Sequence, residues 1–417
     1  MYLDNPPMPA TPSEIQRQQH TRLRRRMLYG QHEQDVQNRI AEELGDVRSD
    51  AWGRPDMSRN PFLKVWTDLA VLYNQTPVVN PPPGAELAAA AMADAGYWAR
   101  MKRVQRDTLG LREMFVRLEV LEGGALDMRP VPPDLVEVVK VDRLGRITVL
   151  KEYIPDPDSP GRWVVRWYNI DGGVGRYVAT EATGKTDISD RILGDGTEGS
   201  GRFIGADYPW LVDGEPVMPF VLYHAEETGY LFDPYQHREM VEGALTLGVH
   251  YTYYGHILRN AAWSQRYVVG AVPAGATLVD GGNRANVTSD PSTLLVLEAT
   301  DDGTGQVMVG QFKSPVDPEK VLNSIRAYER GLVEQAIGGA KVSRRDPDIR
   351  SGYSLAVDRE EQRAAQAMYA PQFLRGDLAA CQMVAGLLGV PAEGWSIDYP
   401  AVMDGANVEP LEDVSDE

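Results

Sequence analysis

Catalysis needs nucleophiles, acids or metal ligands at workable spacings, and few residues of this chain have them. The six histidines are scattered, and His250 and His256, six apart, fall on different faces of a helix. With no HExxH and no Cys-rich spacing, a zinc site is not expected. GYSLA at 352 lacks the closing glycine of a serine-nucleophile elbow. The carboxylate pairs Asp156 and Asp158, Asp301 and Asp302, and Asp346 and Asp348 have the chemistry to bind a divalent cation or share general acid–base work. Each sits beside Pro or Gly, which reads as turn chemistry. The glycine-dense GDGTEGSGRFIG, 194–205, has no Lys-Ser/Thr ending and opens no strong helix, so it reads as a loop rather than a phosphate cradle. HYTYYGH with Trp263 has rings able to stack on bases, but on a long helix it reads as packing between subunits. Cys381, the single cysteine, lies among Ala379, Ala380 and Met383 and reads as a buried small side chain.

The remaining chemistry is charge. GGAKVSRRDPDIRSGYSLAV, 338–357, gathers Lys341, Arg344, Arg345 and Arg350 with Asp346 and Asp348 in a stretch that Gly and Pro keep from being one helix. A second basic cluster, Arg22, Arg24, Arg25 and Arg26, reads as a solvated helix face or as a contact with an acidic partner or DNA. Both stand against a net charge of −18 over 417 residues, which opposes gross adsorption to nucleic acid or an anionic membrane. Any DNA contact is expected to be local. The apolar share of 43% and charged share of 24% are those of a folded protein. There is no run of eighteen apolar residues, and the first twenty lack a signal-peptide layout, so neither a membrane span nor secretion is expected. One cysteine excludes an internal disulfide framework and fits a reducing compartment.

The elements that would position these residues follow from periodicity. Residues 13–45 carry helical composition, and Asn60–Val79 puts Phe62, Trp66, Leu69 and Tyr73 along one stripe behind an Asn-Pro start. An Ala-rich helix spans about 85–110. The period then alternates: MFVRLEVLE, LVEVVKVD, RITVLKEYI, RWVVRWYNI and GRYVATEA read as five strands of an antiparallel module over 113–222, closed by MPFVLYH. A long helix, capped by Asp233 with Pro234 first, is expected to reach Trp263, about 40 Å, weakened by Gly243, Gly248 and Gly255. YVVGAVP, STLLVLEA and QVMVGQF are short strands within 265–313. A second helix follows, capped by Asp317, started by Pro318, striped by Val321, Ile325, Tyr328, Leu332 and Ile337, and stopped by Gly338-Gly339. A third helical stretch, 353–388, has Pro371 forcing a kink or break, and GWSIDYP then reads as a strand before an acidic tail.

This order of helices, β module, long helix, small β module, helix, basic loop and kinked helix resembles a bacteriophage portal protein, the ring at a capsid vertex through which DNA passes. QFKSPVDPEKVLNSIRAYERGLVEQAIGGAKVSRRDPDIRSGYSLAV looks like that family's passage from stem to tunnel loop, and Ser351-Gly352 followed by Glu360, Glu361 and Gln362 is similar to the way it leaves the loop. The resemblance spans about 20–388 and implies an α+β, elongated subunit. It divides the chain into an N-terminal helical part of the wing (1–112), a β-rich wing (113–232), stem helices (233–262 and 318–338), a small α/β clip (263–317), a tunnel loop (339–352) and a kinked tunnel/wing helix (353–388). Residues 389–417 depart from the family, implying a reduced crown and an acidic tail.

The resemblance further implies a non-enzymatic ring of about twelve copies, in the virion at the portal vertex, with no catalytic residue, metal or cofactor. It would conduct double-stranded DNA without reading bases, and contact the major capsid protein, a scaffolding protein, the terminase large subunit and then a head-tail connector. In such a ring, Lys341, Arg344, Arg345 and Arg350 become belts of charge facing a duplex that carries one negative charge per about 1.7 Å. Few cations in an acidic tunnel touch phosphates weakly and let DNA slide. The plainer reading is an exposed loop whose arginines pair with Asp346 or Asp348. Two rival functions stand beside the portal: an intracellular metal-dependent hydrolase using Asp156 and Asp158, and another ring-forming head-tail connector.

Overall fold

The structure is a computed structural model that describes residues 11–45, 53–156, 162–183, 208–262, 266–269, 295–297, 308–311, 317–336 and 352–400. Helices and mainly antiparallel sheets are mixed, which gives the expected α+β class. The chain divides into two compact units, one comprising 1–31, 62–238 and 337–417, the other 32–61 and 239–336.

In the first unit, α1 (Pro12–Leu28) begins with proline at its first position, where a missing N–H costs nothing. The helical run expected over 13–45 is interrupted at Gly30, whose φ of +66° takes the chain out of α1 before α2 (Glu33–Leu44) begins in the other unit. The Ala-rich stretch likewise splits at Gly96, φ +64°, into α4 (Glu86–Asp94) and α5 (Tyr97–Leu111). Between α2 and α4 in sequence lie α3 (Pro61–Leu69) and strand β1 (Val78–Asn80).

The β module holds more strands than alternation suggests. β2 (Glu113–Val120) pairs with β3 (Leu126–Val131) and β10 (Phe220–His224). β4 (Val136–Val141), β5 (Ile147–Pro155), β6 (Arg162–Asn169) and β7 (Arg176–Thr183) form an antiparallel meander, and β8 (Leu211–Val212) pairs with β9 (Glu215–Pro216). β3 escapes the pattern because Pro130 breaks its alternation. Phe115, Leu150, Tyr153, Trp163, Tyr168, Trp210 and Phe220 fill the core, with Tyr168 and Phe220 edge to face at 5.0 Å.

The final helix of this unit, α8 (Gly352–Leu387), runs through Pro371 without the break the proline suggests. It lies so close to β10 that a Cβ on Gly376 would sit 2.3 Å from the Tyr223 ring. β14 (Ser396–Asp398), the strand expected in GWSIDYP, pairs antiparallel with β1.

The second unit holds α6 (Arg238–Ala262), α7 (Pro318–Ala336) and a small sheet in the order β12 (Leu295–Leu297), β11 (Arg266–Val269), β13 (Met308–Gln311). α7 starts as expected: the Asp317 carboxylate accepts the Glu319 N–H at 3.0 Å. α6 does not. The Asp233 N–H donates to Glu113 at 2.6 Å, and His237 has φ +54°, so helix begins only after it.

Candidate functional site

Lys341, Arg344, Arg345 and Arg350 lie outside the described residues, as do Asp158, Asp301, Asp302, Asp346, Asp348 and the glycine-dense 194–205 stretch. The structure supplies the ends that bracket the basic segment: α7 closes at Ala336 and α8 opens at Gly352. Of the acidic pairs, only Asp156 is described, with its N–H donating to the Arg162 carbonyl at 3.0 Å.

The helix pair before that segment is built for close approach. A Cβ on Gly243 would meet Leu332 Cδ1 at 2.5 Å, and one on Gly248 would meet the Val36 side chain at 2.9 Å. Gly243 and Gly248, which weaken α6 as a free helix, therefore admit its neighbours, whereas a Cβ on Gly255 would meet nothing within 4 Å. Further along, the Tyr251 hydroxyl donates to Glu329 at 3.1 Å, and His250 meets Tyr328 edge to face at 5.8 Å. Rising numbers on α6 meet falling numbers on α7, so the helices run antiparallel.

Beyond those contacts the pair opens into an apolar groove of about 440 Å³, with Tyr253, Tyr254 and Ile257 on one wall and Val321, Ile325 and Tyr328 on the other. Of the sequence-predicted stripe, Ile325 and Leu332 are buried, whereas Tyr328 is 43% exposed and Leu258 on α6 is 42% exposed. The HYTYYGH aromatics thus form a surface as well as a core.

The N-terminal arginine cluster requires a correction. Arg24 and Arg25 are fully buried and Arg22 nearly so, which removes these three from a solvated face and from an external partner, while Arg26 is half-buried. Arg25 pairs with buried Asp134 at 2.7 Å, and Arg24 donates to the Gly110 carbonyl at 3.1 Å. Arg17, about two turns earlier, donates to the carbonyls of Pro133 and Val136 at 3.0 and 2.7 Å and covers the Phe232 ring. These guanidinium forks dock α1 on the segment preceding β4. Sequence reasoning missed this because their partners lie more than eighty residues away.

Two carboxylate centres, one buried and one partly exposed, were also unforeseen. Asp377 on α8 is fully buried and accepts hydroxyl donors from Tyr73 at 2.7 Å, Tyr223 at 2.8 Å and Tyr399 at 2.6 Å, while the Tyr97 hydroxyl meets that of Tyr223 at 2.6 Å. Burial pushes Asp377 up to about 6, against the downward pull of its tyrosine donors. Nearby, the Cys381 thiol is buried and pushed up to about 12, the inert small residue expected.

The other centre is Glu226, held down at about 2 chiefly by the His237 ring nitrogen 3.6 Å away, with Arg112 at 3.0 Å adding to the effect. Arg112 and His237 both have positive φ, +80° and +54°, and the His237 ring meets Trp66 edge to face at 5.8 Å. A charge partner and an aromatic wall thus fix two strained backbones.

Among the described residues, no group of three or more His, Cys, Asp or Glu side chains is placed to hold a metal ion, and no helix is long and apolar enough to cross a membrane. No protein-family model matches the sequence, and no curated protein matches it at a significant level.

Proposed function

We propose that the chain is a phage portal subunit: a ring of copies at one capsid vertex that conducts duplex DNA during packaging and ejection. The observation that carries this reading is the order of elements around the basic segment. Two long antiparallel helices, α6 and α7, flank a small sheet, and the second leads through fifteen residues bearing Lys341, Arg344, Arg345 and Arg350 into the 36-residue α8.

The apolar groove on the helix pair supports self-association. Exposed Tyr328 and Leu258 are large apolar groups that a neighbouring copy would cover. On this reading the loop cations form belts that touch phosphates weakly, and the small sheet region, 263–317, docks the terminase and then a connector. Packaging energy comes from that separate motor. The capsid protein and a scaffolding protein contact the remaining surface, and the working location is the virion.

Negative-stain electron microscopy of the purified full-length protein at moderate salt tests the proposal. Annular particles with a central hole and radial symmetry are expected. Uniform small globules at every concentration, with and without capsid and scaffolding protein, would refute it.

A further inference from the structure

A basic face survives on the described surface of this acidic protein. On α5, Arg100, Lys102 and Arg103 are exposed, and Arg106 is partly so. They fall within seven consecutive residues, about 9 Å of helix axis, with Lys102, Arg103 and Arg106 inside about 100° of its circumference and Arg100 flanking Arg103 about 60° further round. Among the described residues, buried Asp107 is the one carboxylate paired with these cations: Arg106 donates to it at 2.6 and 2.9 Å, Arg103 approaches at 3.7 Å, and the Tyr29 hydroxyl donates to it at 2.6 Å. Four cations against one carboxylate leave an excess of three positive charges.

The guanidinium groups are also held in place. Those of Arg103 and Arg106 both lie over the Tyr29 ring, at 5.3 and 5.4 Å, and Arg103 donates to the Tyr29 oxygen at 3.0 Å while remaining 59% exposed. Arg100 donates one N–H to the Met128 carbonyl at 3.0 Å. Side chains fixed in this way lose little further entropy on meeting an anion.

We infer that this face of α5 binds the phosphate backbone of duplex nucleic acid, without base reading. A duplex presents roughly five charges over the same 9 Å, at one per about 1.7 Å, so several cations are engaged together. A single phosphate would meet only one or two. An acidic protein is the weaker fit, because protein interfaces need an apolar centre and no large exposed apolar side chain lies on α1 or α5. The inference rests on these residues alone and holds whether or not the chain forms a ring.

Fluorescence anisotropy of a labelled duplex with the full-length chain, titrated from low to moderate salt, tests it. Lys102→Glu with Arg103→Glu is expected to weaken binding about tenfold at low salt and to reduce the slope of log affinity against log salt by about 2. The loss should persist when Lys341, Arg344, Arg345 and Arg350 are neutralised, which separates this face from the loop segment. Should the double variant melt early, Lys102→Gln replaces it, with an expected slope change of about 1. An unchanged slope in a variant of unchanged melting temperature overturns the inference. Polyglutamate or inorganic phosphate displacing the duplex equally well, charge for charge, overturns it too, marking an acidic-protein surface in the first case and a simple ionic site in the second.

Discussion

Replacing Asp377 with asparagine should change how stability depends on pH, and the size follows from its surroundings. The carboxyl moves from 3.8 to about 6 on burial. A folded value above the unfolded one means that the group's contribution is fully present below 3.8 and is lost as pH rises through about 6. Across the whole window that is about 3 kcal/mol, at about 1.4 kcal/mol per tenfold change in proton affinity. The acid end is impractical because the chain's isoelectric point is near 4.9. Between pH 5.5 and 7.5 the linkage gives roughly 0.8 kcal/mol.

The neighbours stay silent in this range. Tyr73, Tyr97, Tyr223 and Tyr399 are all raised above the ordinary tyrosine value, chiefly by burial, and Cys381 stands at about 12. Asparagine keeps one acceptor oxygen and offers its amide to a tyrosine oxygen, so the centre stays filled. Urea unfolding followed by tryptophan fluorescence, with both proteins at each pH, gives the difference directly, because titrations elsewhere cancel. The wild type should lose roughly 0.8 kcal/mol relative to Asp377→Asn between pH 5.5 and 7.5. A difference that stays flat with pH would show that Asp377 does not change charge there, and the reasoning from burial would fail.

Gly376→Ala should destabilise by about 2 kcal/mol, since its methyl would overlap a buried Tyr223 ring; an unchanged melting temperature would count against the packing described. Asp134→Ala leaves buried Arg25 without its ion-pair partner and should cost about 3–5 kcal/mol in urea unfolding. Gly243→Val should separate α6 from α7 at Leu332 and, on the portal reading, prevent ring formation in electron micrographs; rings of wild-type appearance would show that this helix contact is dispensable. Neutralising Lys341, Arg344, Arg345 and Arg350 together should leave assembly intact and impair DNA packaging or retention, whereas loss of assembly would remove them from the channel wall.

What the sequence discloses here is local. Asp317-Pro318 marks the start of α7 because the cap is a bond between residues two apart. Asp233-Pro234 offers the same signal and misleads, because the Asp233 N–H is taken by Glu113 and His237 leaves the helical region. A competing partner 120 residues away has no trace in local periodicity. The arginines of α1 fail for the same reason: a charge run near the chain start reads as solvated until Asp134 and the carbonyls of Gly110, Pro133 and Val136 are brought to it in space. The aromatics of α6 read from sequence as packing between subunits, whereas the contacts seen are with α7 of the same chain, and the groove they leave depends on which α7 side chains face them.

The tyrosine–Asp377 centre sets the order in which the subunit can be finished. Tyr73 and Asp377 are 304 residues apart, and β1 finds β14 across a similar span. Ribosomes add about 5–20 residues per second, so the first tyrosine waits roughly 15–60 s for its carboxylate. Meanwhile the helix pair and small sheet at 239–336, an unbroken run of chain, emerge complete. The earlier-made part therefore spends synthesis with an open seam of tyrosines and an unpaired β1. Such long-range closure is slow, and that interval is when a chaperone would have most to shield.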